Sequence, residues 1–104
     1  MTQNSLKDFL DDTVVVAVQE QVVSADLEDE VVILNLKDGV YYGLNPVGAR
    51  IWNLLQQPRT VGEIRDIILQ EYETSPQRCE EDLRRLLQEM DGRGLIENKS
   101  GTGS

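Results

Sequence analysis

The residues able to do chemistry are few, and their spacing does not bring them together. The 104-residue chain holds one cysteine, Cys79, and no histidine. A thiol becomes a nucleophile only beside a base or a cationic neighbour. Cys79 instead falls at helical spacing with Leu83, Leu86, Leu87 and Met90, which predicts a small buried hydrophobe. A single cysteine cannot close an internal disulfide, and without histidine a zinc site lacks its usual donors. Glu80, Glu81 and Asp82 are consecutive, so on a helix they splay about 100° apart and cannot converge on one ion or proton. They read as a solvated face, well placed in the first turn of a helix. Tyr41 and Tyr42 carry phenols that nothing adjacent in sequence would tune. No Gly-rich loop leads into Lys-Ser/Thr to cradle a phosphate. The expectation is a protein with no catalytic residue, no metal and no cofactor.

Composition narrows the partners. At 11.7 kDa the chain is one small domain with a single modest core. The formal charge of −9 is uneven: residues 1–45 hold nine acids against two lysines, and residues 46–104 ten acids against eight bases. So acidic an N-terminal half argues against docking on nucleic acid or anionic lipid. No apolar run approaches membrane-spanning length and the N-terminus lacks a signal-peptide pattern, so a cytoplasmic location is expected.

The elements that must position any site centre on Val31–Trp52, VVILNLKDGVYYGLNPVGARIW. Glu30–Leu36 and Val40–Leu44 alternate as strands across a turn at Lys37-Asp38-Gly39. A two-residue loop would set Leu36 opposite Tyr41. A three-residue loop, with Gly39 in the left-handed region, sets Leu36 opposite Val40 and Leu34 opposite Tyr42. The second register is preferred, because it gathers Val32, Leu34, Leu36, Val40, Tyr42 and Leu44 on one face. It leaves Val31, Ile33, Asn35, Tyr41 and Gly43 on the other.

Ahead of this hairpin, Gln21–Leu27 reads as a first strand that turns at Glu28-Asp29. Val14–Val18 is β-prone and expected to pair at an edge or lie along the domain. Residues 1–20 form a flexible N-terminal segment in this reading, in which Leu6, Phe9 and Leu10 have the spacing of a short amphipathic turn. Three helices follow the hairpin. The first, Pro46 to Gln56, is capped by Asn45 and carries Val47, Ile51, Leu54 and Leu55, with Trp52 at the margin of that stripe. The second begins at the capping box Thr60-Val61-Gly62-Glu63. The third enters through Ser75-Pro76 and reaches Asp91, with Gly92 and Gly94 as left-handed stops and Leu95-Ile96 folding back on the core. Residues 98–104 read as a disordered tail. Three strands then three helices predict an α+β, winged-helix-like fold: a three-stranded antiparallel sheet followed by three helices.

The residues so far described match a known pattern. Gly39, Tyr41, Tyr42, Leu44 and Asn45 fit G-x-Y-[YF]-x-L-[ND]; Gly48, Ala49, Ile51 and Trp52 fit G-A-x-I-W. Asp82, Leu87, Met90, Gly94 and Leu95 fit a third run. Over about Val22 to Glu97 the chain resembles the PqqD-like family, small leader-peptide recognition proteins of peptide natural-product biosynthesis, and its Tyr-Tyr-Gly-Leu-Asn form is most similar to the stand-alone proteins of lasso-peptide clusters. The resemblance implies a leader-peptide-binding domain at 21–97 that takes up the leader of a ribosomally made precursor by β-strand addition. The domain would present that peptide to a modifying enzyme, a leader protease or a radical enzyme. It implies peptide contacts at Val40, Tyr41, Tyr42, Gly43 and Leu44, and along the third helix at Cys79, Asp82, Leu83, Leu86 and Leu87. The physics agrees: a meander leaves its third strand with a free edge, which can template an extended peptide.

Other functions remain open on the sequence. A peptide chaperone of the pyrroloquinoline-quinone pathway would share these features. A winged-helix DNA-binding regulator would use Arg78, Arg84 and Arg85, but Glu80, Glu81, Asp82 and Glu89 beside them repel phosphate. A scaffold for a folded enzyme is the remaining alternative.

Overall fold

The computed structural model describes residues 9–28 and 30–99. In chain order the elements are β1 (Val14–Ala17), β2 (Val22–Leu27), β3 (Glu30–Asn35), β4 (Val40–Leu44), α1 (Pro46–Leu54), β5 (Arg59–Thr60), α2 (Val61–Glu71), α3 (Pro76–Gly92) and β6 (Ile96–Asn98). The expected antiparallel meander is present as β2-β3-β4, and the three helices follow it.

Its register differs from the expected one. Val31 pairs with Leu44, Ile33 with Tyr42 and Asn35 with Val40, across a four-residue loop from Leu36 to Gly39. The face of β4 is as expected, with Tyr42 and Leu44 turned to the helices. The face of β3 is inverted: Val31, Ile33 and Asn35 are buried, while Leu36 is exposed in the turn. Asn35 supplies the physical reason. Its Oδ1 accepts from the Lys37 amide at 2.9 Å, its own carbonyl accepts from the Gly39 amide at 2.7 Å, and its Nδ2 donates to the Arg93 carbonyl at 3.2 Å. A polar side chain therefore sits inward because it caps the loop and ties it to the end of α3. Gly39 does take a positive φ, +71°, as the turn required.

A second sheet, in the order β5-β1-β6, was not anticipated. Val14–Ala17 is its central strand, neither an edge nor a segment laid along the surface. Val15 and Ala17 point into the core, and beyond the pairing the Ala17 amide donates to Leu55 O and Val18 to Leu95 O. Phe9, 1% exposed, packs into the same core, and Asp11 and Thr13 accept from the first amides of α2. Residues 9–17 thus belong to the packed body; Leu6 and the rest of 1–8, like 100–104, lie outside the described residues.

The helix ends follow local chemistry. Asn45 Oδ1 accepts from the Gly48 amide at 2.8 Å ahead of Pro46. Thr60 and Glu63 exchange both bonds of a capping box, and Ser75 Oγ accepts from the Arg78 amide. At the far end of α3, Leu95 donates to Met90 O and Gly94, at φ +73°, to Asp91 O. That Schellman pair turns the chain so that Leu95 and Ile96 re-enter the core. Gly92 closes the helix itself, leaving Gly94 as the left-handed stop. Trp52 is buried in the core instead of lying at the margin of α1. Among the described residues no helix is long and apolar enough to cross a membrane.

Candidate functional site

A groove of about 890 Å³ runs between β4 and α3. Its position follows from the topology. The meander order leaves β4 at an edge, with β3 on one side and, among the described residues, no strand on the other. The nearly slack-free step from Leu44 through Asn45 into α1 turns the chain under this edge, and at Gly48 a β-carbon would stand 3.2 Å from Asn45 Oδ1 and 3.4 Å from Leu44 Cβ, tighter than ordinary packing. The third helix then closes the far wall.

The wall formed by β4 contains Val40, Tyr41, Tyr42, Gly43 and Leu44, and the wall formed by α3 contains Cys79, Asp82, Leu83 and Leu86. Nine of the ten sequence-derived site residues therefore share one groove. Leu87 does not line it: at 0% exposure it lies behind the α3 wall, inside the core. The helix makes this division because Leu83 and Leu87 follow its core side and Leu86 the adjacent side. Tyr41 stands 68% exposed on the outer side of the sheet and meets the groove at its rim.

Several lining residues were missed by the sequence reading. Val47, Ile51, Ile68, Met90 and Leu95 complete the apolar floor, and Tyr72 and Glu73 close one end. At the other end the Arg93 guanidinium lies 4.6 Å from the Tyr42 ring centroid, a cation–π contact that spans from the end of α3 to the middle of β4. Ending the helix at Asp91 hid this residue, although Arg85, Glu89 and Arg93 continue the helical face that begins at Asp82.

The groove offers shape and unpaired main chain more than reactivity. Burial raises the Cys79 thiol above its ordinary pKa, which disfavours a thiolate, and its Sγ lies 4.0 Å from the Arg65 carbonyl. Among the described residues no group of three histidine, cysteine or acidic side chains could hold a metal ion. An edge strand beside an apolar channel rimmed by exposed charge defines a binding module for an extended chain.

The comparisons are consistent with that class. Residues 30–96 match the family model for coenzyme PQQ synthesis protein D (PqqD), and the chain belongs to this family. A solved structure of TbiB1 in complex with the TbiA(beta) leader peptide is 40% identical, with a TM-score of 0.74, covering 83% of this chain and 100% of that one. A structure of lasso peptide synthetase B1 complexed with the leader peptide shares the fold at 22% identity and a TM-score of 0.68, covering 76% of this chain and 93% of that one. No curated protein matches the chain.

Proposed function

We propose that this protein is a non-catalytic recognition element that binds the leader of a ribosomally made precursor peptide and presents it to a modifying enzyme, in the manner of lasso-peptide biosynthesis. The observation that carries the proposal is the free edge of β4 opening on the groove beside α3. An extended leader would pair with Val40–Leu44, its main-chain bonds supplying affinity. Its apolar side chains would enter between β4 and α3 near Cys79, Leu83 and Leu86, with Asp82 at the rim and Leu87 supporting the wall from behind. Likeness to a TbiB1–leader complex over that chain's full length supports this choice. The leader-binding unit is taken as residues 21–97, with β1 packed onto it through its pairing with β5 and β6, the setting as cytoplasmic, and the enzyme partner as a leader protease.

The family description itself favours one second reading, a peptide chaperone in quinone-cofactor synthesis whose enzyme partner is a radical enzyme. Both readings use the same groove. Amide chemical shifts recorded while adding the TbiA(beta) leader peptide test it. Perturbations in Val40–Leu44 and along α3 are expected. Perturbations that miss both would overturn strand addition and favour a scaffold for a folded enzyme.

A further inference from the structure

The charges of α3 are sorted. Asp82, Arg85, Glu89 and, at the helix C-cap, Arg93 line the groove, and their signs alternate. Glu80 and Arg84 turn to the opposite side, where they join Asp11 and Arg65. With a helical rise of about 1.5 Å per residue, the four groove charges lie about 4.5, 6 and 6 Å apart, over about 16 Å in all. An extended peptide rises about 3.3 Å per residue, so a two-residue step covers about 6.6 Å, and five residues, about 13 Å from first to last, offer three alternate side chains against the about 12 Å from Arg85 to Arg93. Val40–Leu44 is likewise five residues long. A strand added to β4 would therefore offer three alternate side chains to α3 nearly in step with Arg85, Glu89 and Arg93, the next one falling about 2–3 Å beyond Asp82.

The existing pairs leave them available. Asp82 meets Arg85 at 3.4 Å and Arg78 at 3.8 Å, and Glu89 meets Arg93 at 3.4 Å, all of them exposed. Exposed pairs of this kind contribute little and exchange readily for other partners. Arg93 is held in addition over Tyr42, which fixes one end of the row above the strand.

Resting on the leader-binding reading above, we infer that this row of charges sets leader specificity. It selects peptides whose groove-facing alternate positions carry base opposite Asp82 and Glu89 and acid opposite Arg85 and Arg93. Long charged side chains meet both demands of the site, since their aliphatic stems cover the apolar floor at Leu83, Leu86 and Met90 while their heads reach the rim.

The test is a selection from a random dodecapeptide library displayed on phage, against the full chain and against a variant carrying Asp82→Arg, Arg85→Glu, Glu89→Arg and Arg93→Glu. All four positions are exposed, and the exchange keeps the Asp82–Arg85 and Glu89–Arg93 pairs with reversed sign while losing the 3.8 Å pair of Asp82 with Arg78. A second variant inverting only Asp82 and Arg85 leaves Arg93 on Tyr42. The expected result is peptides with charges of alternating sign two residues apart, of opposite phase for the inverted protein. Each set should bind the other protein about ten-fold more weakly, as four exposed ion pairs allow. Peptides that share apolar alternation but no charge pattern, or the same pattern for both proteins, would overturn the inference and leave the groove reading standing. If no peptide is enriched, the leader-binding reading itself fails, and this inference with it.

Discussion

Replacing Asn35 with leucine removes the polar atoms that link the hairpin to the end of α3 while keeping the γ-branched shape of the side chain. Two hydrogen bonds are lost, from the Lys37 amide at 2.9 Å and to the Arg93 carbonyl at 3.2 Å. At a net value near 1 kcal/mol for each, the cost is about 2 kcal/mol. For a domain of this size that corresponds to a melting temperature lower by about 8–16 °C. Trp52, the single tryptophan and 3% exposed, reports unfolding directly by fluorescence. With a urea m-value near 1 kcal/mol per molar, the midpoint should fall by about 2 M. The four-residue loop also loses its cap, so the three-residue loop becomes a competitor that would turn Ile33 away from Tyr42. Weakened contacts between Ile33 and Tyr42 in nuclear Overhauser spectra should accompany the lower midpoint. A midpoint shift below about 0.5 M with those contacts intact would refute the role given to Asn35.

Three other expectations follow from single positions. Gly39→Val places a β-branched residue at φ +71° and should destabilise by about 1–2 kcal/mol, with Gly39→Asn milder, both read from thermal melts. Leu86→Ala and Leu87→Ala should separate site from core: Leu86, half-buried in the groove, weakens TbiA(beta) leader binding in a titration with little change in stability. Leu87, fully buried, costs about 2–5 kcal/mol of stability. Hydrogen bonding from Arg65 holds the Asp11 carboxyl below its ordinary pKa. Its stabilisation is therefore present above the unfolded carboxylate pKa and lost as pH falls through the lowered folded value. Asp11→Asn should flatten that acid limb of the stability–pH curve, measured by urea melts at successive pH values.

What the chain determines by itself is what short stretches can decide. Asn45-Pro46, Thr60 with Glu63, and Ser75-Pro76 satisfy the first amides of their own helices, so the three helix starts were legible. The positive φ of Gly39 and the exposure of an edge strand at Val40–Leu44 were legible for the same reason, since each follows from a few consecutive residues. Alternation alone could not choose the β3 face, because Val31 to Leu36 is apolar at almost every position. The choice fell to Asn35, whose inward side chain finds its partner in Arg93 far along the chain. The second sheet joins Val14–Ala17 to Arg59–Thr60 and Ile96–Asn98, pieces too short to announce themselves and too distant to be paired by local pattern. Tertiary packing likewise divided the leucines of α3, sending Leu87 into the core and Leu86 to the groove, because one helical stripe touches two neighbours at once. It also laid Arg93 over Tyr42, a contact that exists only once the end of α3 has been brought against the middle of β4.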